Sequence, residues 1–186
     1  MIDESNAPHV SRDGAQRLIR KAIDVYKANK EGQLPKRIVV HKTSKYDDSE
    51  KEGFMKGDEG IQKVDLVAFG TRNIKLLRWG EKPPVRGTMV RLPDRSVLLY
   101  TFGYTPYLGV YSGPRVPSAL EILEHYGDTS IETICNEILA LTKLNWNSAK
   151  FCIKASITIS FARLVGFILR NLPPDVDLDS KFKFYI

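Results

Sequence analysis

Between Asp13 and Lys30 the residues Ala15, Leu18, Ile19, Ala22, Ile23, Val25 and Tyr26 recur at three- and four-residue spacing, with Arg12, Arg17, Arg20, Lys21 and Lys27 mostly outside that stripe. This period places one apolar face on a helix and predicts an amphipathic helix over 13–30. Gly32 and Pro35 end it. The next residues, RIVVH at 37–41, form a β-branched run of the kind that makes a strand buried on both faces. A helix followed at once by a buried strand constrains the chain to an α/β layer fold.

Composition narrows the class. The chain has 186 residues, 42% hydrophobic and 27% charged, which describes one globular domain, 1–186, with no internal boundary. Its formal charge of +6 makes a polyanion, most often nucleic acid, the default partner. Cys135 and Cys152 are too few for a disulfide framework and read as reduced, buried thiols of a cytoplasmic protein. No apolar run reaches the roughly 18 residues that a membrane span requires. The polar start MIDESNAPHV carries no hydrophobic signal region, so neither export nor a membrane partner is expected. His9, His41 and His125 are scattered, with no companion cysteine at metal-ligand spacing, so zinc is not expected. Walker, Rossmann, HExxH and GxSxG patterns are absent.

Further along, 47–61 reads as a helix weakened by Gly53, Gly57 and Gly60, and 64–70 (VDLVAFG) as a strand. Three more strands are expected at 75–79, 88–92 and 96–102, the last two as a hairpin around LPDR. Residues 105–117, rich in Pro, Gly and Tyr, read as a surface loop. Thr129 and Glu132 form a capping box ahead of Ile131, Ile134, Cys135, Ile138, Leu139 and Leu141, predicting a helix. A last helix over 158–171 is apolar on most sides and should be largely buried.

The charge is unevenly placed. No acidic residue lies between Glu137 and Asp175, whereas Lys143, Lys150, Lys154, Arg163 and Arg170 all fall there. On the last helix Ser160, Arg163, Phe167 and Arg170 share a stripe of about 80°. The arginines either pair with a carboxylate of the chain or clamp phosphate, for which guanidinium geometry suits bidentate contacts. A second basic stretch, 72–95, reads mostly as solvated strand faces and turns.

The segments RIVVHKTS, LLYTFGYTPYLGVYSGPRVPSALEI, GDTSIETICNEILALTKLNWN, FARLVG and the terminal FKFYI occur in this order over nearly the whole chain. Together they resemble the C-terminal half of the PIWI domain of prokaryotic Argonaute proteins. The resemblance implies an RNase H-like α/β fold, a partial mixed sheet flanked by helices. It also implies a guide strand, RNA or DNA, that pairs with a complementary target, with DNA the expected target. In the family the guide 5′ phosphate sits in a pocket shared by the MID domain and the PIWI C-terminus. By resemblance the Ile186 carboxylate lies near that phosphate and helps bind a divalent cation such as Mg²⁺ there, as hard oxygen ligands favour. A terminal strand packed into the core is the other reading of Phe182 to Ile186. The loop from Asn145 to Thr158 resembles the family's guide-tracking segment, which gives Asn145, Asn147, Lys150, Lys154 and Ser160 contact roles beside Arg163 and Arg170.

Slicing members of the family hold two Mg²⁺ ions with carboxylates, completed by a fourth Asp or His. By this resemblance Thr43 and Arg163 stand at two of those positions, and neither supports the chemistry, because Thr is a poor neutral ligand and a guanidinium repels a cation. Asp47 and Asp48 lie close by and read as a helix cap and solvated charge. The expectation is therefore an inactive PIWI subunit. The MID domain and the first half of PIWI would come from a second polypeptide, because a partial sheet exposes strand edges and apolar surface. A separate effector protein is a further expected partner. A truncated gene, a nuclease completed by the partner, and a purely structural subunit are the alternatives. The structural alternative predicts internal salt bridges for Lys154, Arg163 and Arg170.

Overall fold

A computed structural model describes residues 9–56, 60–80, 82–109, 117–145, 151–173 and 176. The strands form one five-stranded mixed sheet in the order β1-β2-β5-β4-β3. The chain groups into two compact units, the first made of the residues up to Gly70 with 94–96 and 122–130, the second of 71–93, 97–121 and the residues from Ile131 on.

In the first unit, α1 (Arg12–Asn29) starts at Ser11, whose hydroxyl accepts from the Gly14 N–H. It ends where Glu31 and Gly32 take positive φ and the Gly32 N–H reaches back to Lys27 O at 2.9 Å. Its buried row is Ala15, Ile19 and Ile23, narrower than the expected stripe, since Leu18, Val25 and Tyr26 stay exposed. β1 (Arg37–Lys42) pairs in parallel with β2 (Lys63–Gly70), from Arg37 opposite Lys63 to Lys42 opposite Ala68. β1 is only half-buried along its length, against the expectation of burial on both faces, because it ends the sheet with β2 as its one neighbour. Between them α2 (Asp48–Met55) is capped by Asp47 and Glu50 reciprocally, and it stops short of the expected residue 61.

Gly53 lets α2 meet α1 closely: a Cβ there would lie 2.4 Å from Arg12 O and 2.7 Å from the Ala15 Cβ. The core of the unit joins Ala15, Ile19, Ile23, Tyr46, Phe54, Leu66 and Ala68. Tyr46 meets Phe54 and Tyr126 edge-on, and its hydroxyl donates to Val40 O.

In the second unit, β3 (Met89–Arg91) and β4 (Val97–Leu99) form the expected antiparallel hairpin, Met89 opposite Leu99. At its turn Arg95 takes a positive φ, and Asp94 accepts from the Ser96 N–H and hydroxyl. Leu98, Tyr100 and Ala119 form a core, with Leu76, Val90 and Leu92 packed against it. Residues 75–79 are not the strand expected. One residue of the segment is anchored, the Leu76 N–H donating to the Tyr100 hydroxyl at 2.7 Å, and no ladder forms around it.

β5 (Leu120–Tyr126) was not anticipated, because Glu121, Glu124 and His125 interrupt its apolar pattern. The fold gives each a partner: Arg72 for Glu121, the Tyr46 N–H for Glu124 and Asp65 for His125. α3 (Ile131–Leu141) buries Ile134, Cys135 and Ile138. At its start the Thr129 hydroxyl donates to Asp65 and Glu132 pairs with Arg91. α4 (Ile157–Asn171) corrects the expectation of burial most sharply. Among its described contacts only Ile157 and Ile159 are buried, while Leu164, Phe167 and Leu169 are 40%, 61% and 55% exposed. No helix among the described residues is long and apolar enough to cross a membrane.

Candidate nucleic-acid interface

The basic segment after α3 is tied down at both ends. Arg86 donates from Nη2 to Leu139 O and to the Thr142 hydroxyl, each at 2.8 Å, so its charge sits at the carbonyl-rich end of α3. The Ile153 N–H donates to Thr142 O at 2.9 Å, and the buried Thr101 hydroxyl donates to Lys154 O at 2.6 Å. Cys152 donates from Sγ to Thr101 O, fixing the turn that leads into α4. Arg86 and Lys143 both approach the face of the half-exposed Phe151 ring, at 5.8 and 4.8 Å from its centroid. This grouping escaped the sequence reading, since Arg86 looked like one solvated base among several.

Of the residues singled out from sequence, Lys154 is exposed and donates from Nζ to the Ser118 hydroxyl at 2.6 Å. Arg163 and Arg170 are exposed on α4 with Phe167 between them, and Ser160 is half-buried at the head of that stripe. Arg170 donates to Gly166 O within its own helix. Among the described residues no carboxylate pairs with Lys154, Arg163 or Arg170, so the ion pairs that a purely structural role requires are not found there. Asn145 is half-buried and engaged in a contact. Asn147, Lys150 and Ile186 lie outside the described residues.

At the end of β1, Thr43 is exposed and brings no carboxylate to the strand end. Asp47 is held below the ordinary carboxylate range: burial alone would raise it, but the Glu50 N–H and the Ser49 hydroxyl more than reverse that. Asp48 pairs with Lys51 at 2.6 Å. Both acids therefore serve α2.

Unforeseen from spacing, His9 meets Glu50 at 2.9 Å and Asp47 at 3.6 Å, a set of donors close enough to hold a metal ion. The Lys42 ammonium stands in the same cluster, 2.5 Å from Glu50 and 3.2 Å from His9 Nδ1. It supplies a positive charge where a metal would sit. The grouping spans 41 residues from His9 to Glu50, and no local pattern marks it.

The chain is prokaryotic Argonaute-like in sequence and fold. It is 28% identical over 164 residues, 86% of its length, to Protein argonaute of Aquifex aeolicus (strain VF5), of which it spans 22%. Its fold matches Clostridium butyricum Argonaute, solved with a guide DNA (5′ deoxycytidine) and a 19-mer target DNA, at a TM-score of 0.70 and 23% identity. That match covers 97% of this chain and 23% of the other. The chain thus spans less than a quarter of the length of either protein. No protein-family model matches it.

Proposed function

We propose that this chain is a catalytically inactive Argonaute-like module that helps hold a guide strand by its backbone for pairing with a complementary target. Similarity over nearly the whole chain to an Argonaute holding guide and target DNA carries this reading. The exposed Lys154, Arg163 and Arg170 support it, as cations that no described carboxylate neutralises and that suit phosphate contacts. Base pairing would supply sequence specificity. Following the resemblance to inactive members, the proposed guide is RNA and the proposed target DNA.

Inactivity is supported by the side chains at Thr43 and Arg163 and by the use of Asp47 and Asp48 in capping and pairing α2. A second polypeptide carrying MID and the rest of PIWI is part of the proposal. The exposed apolar residues of α4 and the position of β1 at the end of the sheet favour it.

The test is co-expression with the presumed MID-containing partner, followed by sequencing of any copurified nucleic acid. Short strands with a uniform 5′ end are expected, and retention should fall when Lys154, Arg163 and Arg170 are changed to Ala. A clean protein complex without nucleic acid overturns the proposal. Metal-dependent cleavage of a guide-matched target, lost in Asp47→Ala, would overturn inactivity.

A further inference from the structure

We propose that residues 75–79, KLLRW, form a contact for unpaired nucleic acid in which the Trp79 indole stacks on a base while Lys75 and Arg78 meet the flanking phosphates. This rests on the nucleic-acid reading above and adds a site outside the 145–170 region.

Leu77 and Trp79 are 92% and 101% exposed, among the most apolar surface the chain leaves in water. The segment is nonetheless pinned. Leu76 packs on the core of Leu98, Tyr100 and Ala119, and its N–H donates to the Tyr100 hydroxyl at 2.7 Å. Its side chain is thereby committed inward, and those of Leu77, Arg78 and Trp79 are left outside.

Charge selects the occupant. Residues 71–80 contain Arg72, Lys75 and Arg78 and no Asp or Glu. Arg72 is engaged with Glu121 at 2.8 Å, whereas Lys75 and Arg78 are exposed and pair with no described carboxylate. An apolar protein groove would have to desolvate both cations to cover the indole. A single strand meets both demands together, since every base offers a π-face and every linkage a phosphate. Bases inside a duplex already stack on each other, so the fit is to unpaired nucleotides.

The test compares a fluorescein-labelled oligothymidylate with a duplex of equal length, by anisotropy on the full chain. Trp79→Ala should weaken single-strand binding about tenfold or more, with the salt slope unchanged. Trp79→Phe should recover much of the loss. Lys75→Ala with Arg78→Ala should lower the single-strand salt slope by about 1.4. Because these side chains are exposed, the substitutions leave folding intact. If the wild-type chain binds and Trp79→Ala binds equally well, or loses duplex and single strand alike, this site is wrong and the broader reading stands. Loss of a copurifying polypeptide at unchanged nucleic-acid affinity would make the segment a protein dock and likewise overturn it. A wild-type chain that binds neither probe sinks both.

Discussion

The buried carboxylates of the first compact unit and the exposed cations of the second stand in opposite surroundings. In the first, the fully buried Asp65 accepts from Arg37 at 2.5 Å, from the Thr129 hydroxyl at 2.6 Å and from His125 at 2.9 Å. Burial alone would raise its pKa, but these donors more than reverse that and hold it at about 2. Glu50, equally buried, is likewise held below its ordinary range by His9, Lys42 and the Val10 N–H against the opposing effect of burial. In the second unit Lys75, Arg78, Arg163 and Arg170 reach solvent with no described carboxylate beside them. The contrast teaches that a carboxylate taken out of water is answered by donors of its own fold, while cations left in water, like Arg17, Arg20 and Lys21 on α1, have no carboxylate partner among the described residues.

The largest expected effect comes from removing the centre of the first network. Asp65→Ala leaves Arg37 and His125 without their shared acceptor and should cost about 3–5 kcal/mol in urea denaturation. Acid should act on the same group. Its folded pKa of about 2 lies below the unfolded value near 3.8, so its contribution is complete above pH 4 and is lost as pH falls toward 2. That step should amount to about 2 kcal/mol and vanish in Asp65→Ala. Gly53→Ala follows, because its methyl would meet Arg12 O at 2.4 Å and force α1 from α2, at a cost of about 1–3 kcal/mol.

The smallest stability effects belong to the second unit. Arg163→Ala and Arg170→Ala should stay within about 0.5 kcal/mol of wild type. Each should lower the salt slope of nucleic-acid binding by about one if it contacts a phosphate. A loss of stability above 1 kcal/mol at either arginine, measured the same way, would break the contrast between the units.

Legibility followed the length scale of the forces involved. The stripe of α1, the β-branched run of β1 and the hairpin around LPDR were readable because periodicity and turn chemistry act over a few residues. β5 was hidden because its polar residues find distant partners: Glu124 meets the Tyr46 N–H across 78 positions and His125 meets Asp65 across 60. Thr129 likewise donates its hydroxyl to the buried Asp65 across 64 positions, a charge-assisted bond that its local pattern does not mark. Lys154 and Arg163 were visible as basic residues in an acid-free stretch, whereas the seating of Arg86 and Lys143 around Phe151 was not.

By itself the sequence determined the α/β class, the main helices and the paired hairpin, since these follow from periodicity and turn residues, and the order of its separated segments carried the resemblance to Argonaute proteins. Only the tertiary structure decided which polar groups are buried and paired, that His9 joins Asp47 and Glu50, that 75–79 is anchored at Leu76 instead of forming a strand, and that α4 presents Phe167 and Leu169 to solvent. Burial and pairing depend on what the chain brings alongside a residue from dozens of positions away, and a local pattern carries no record of that neighbour.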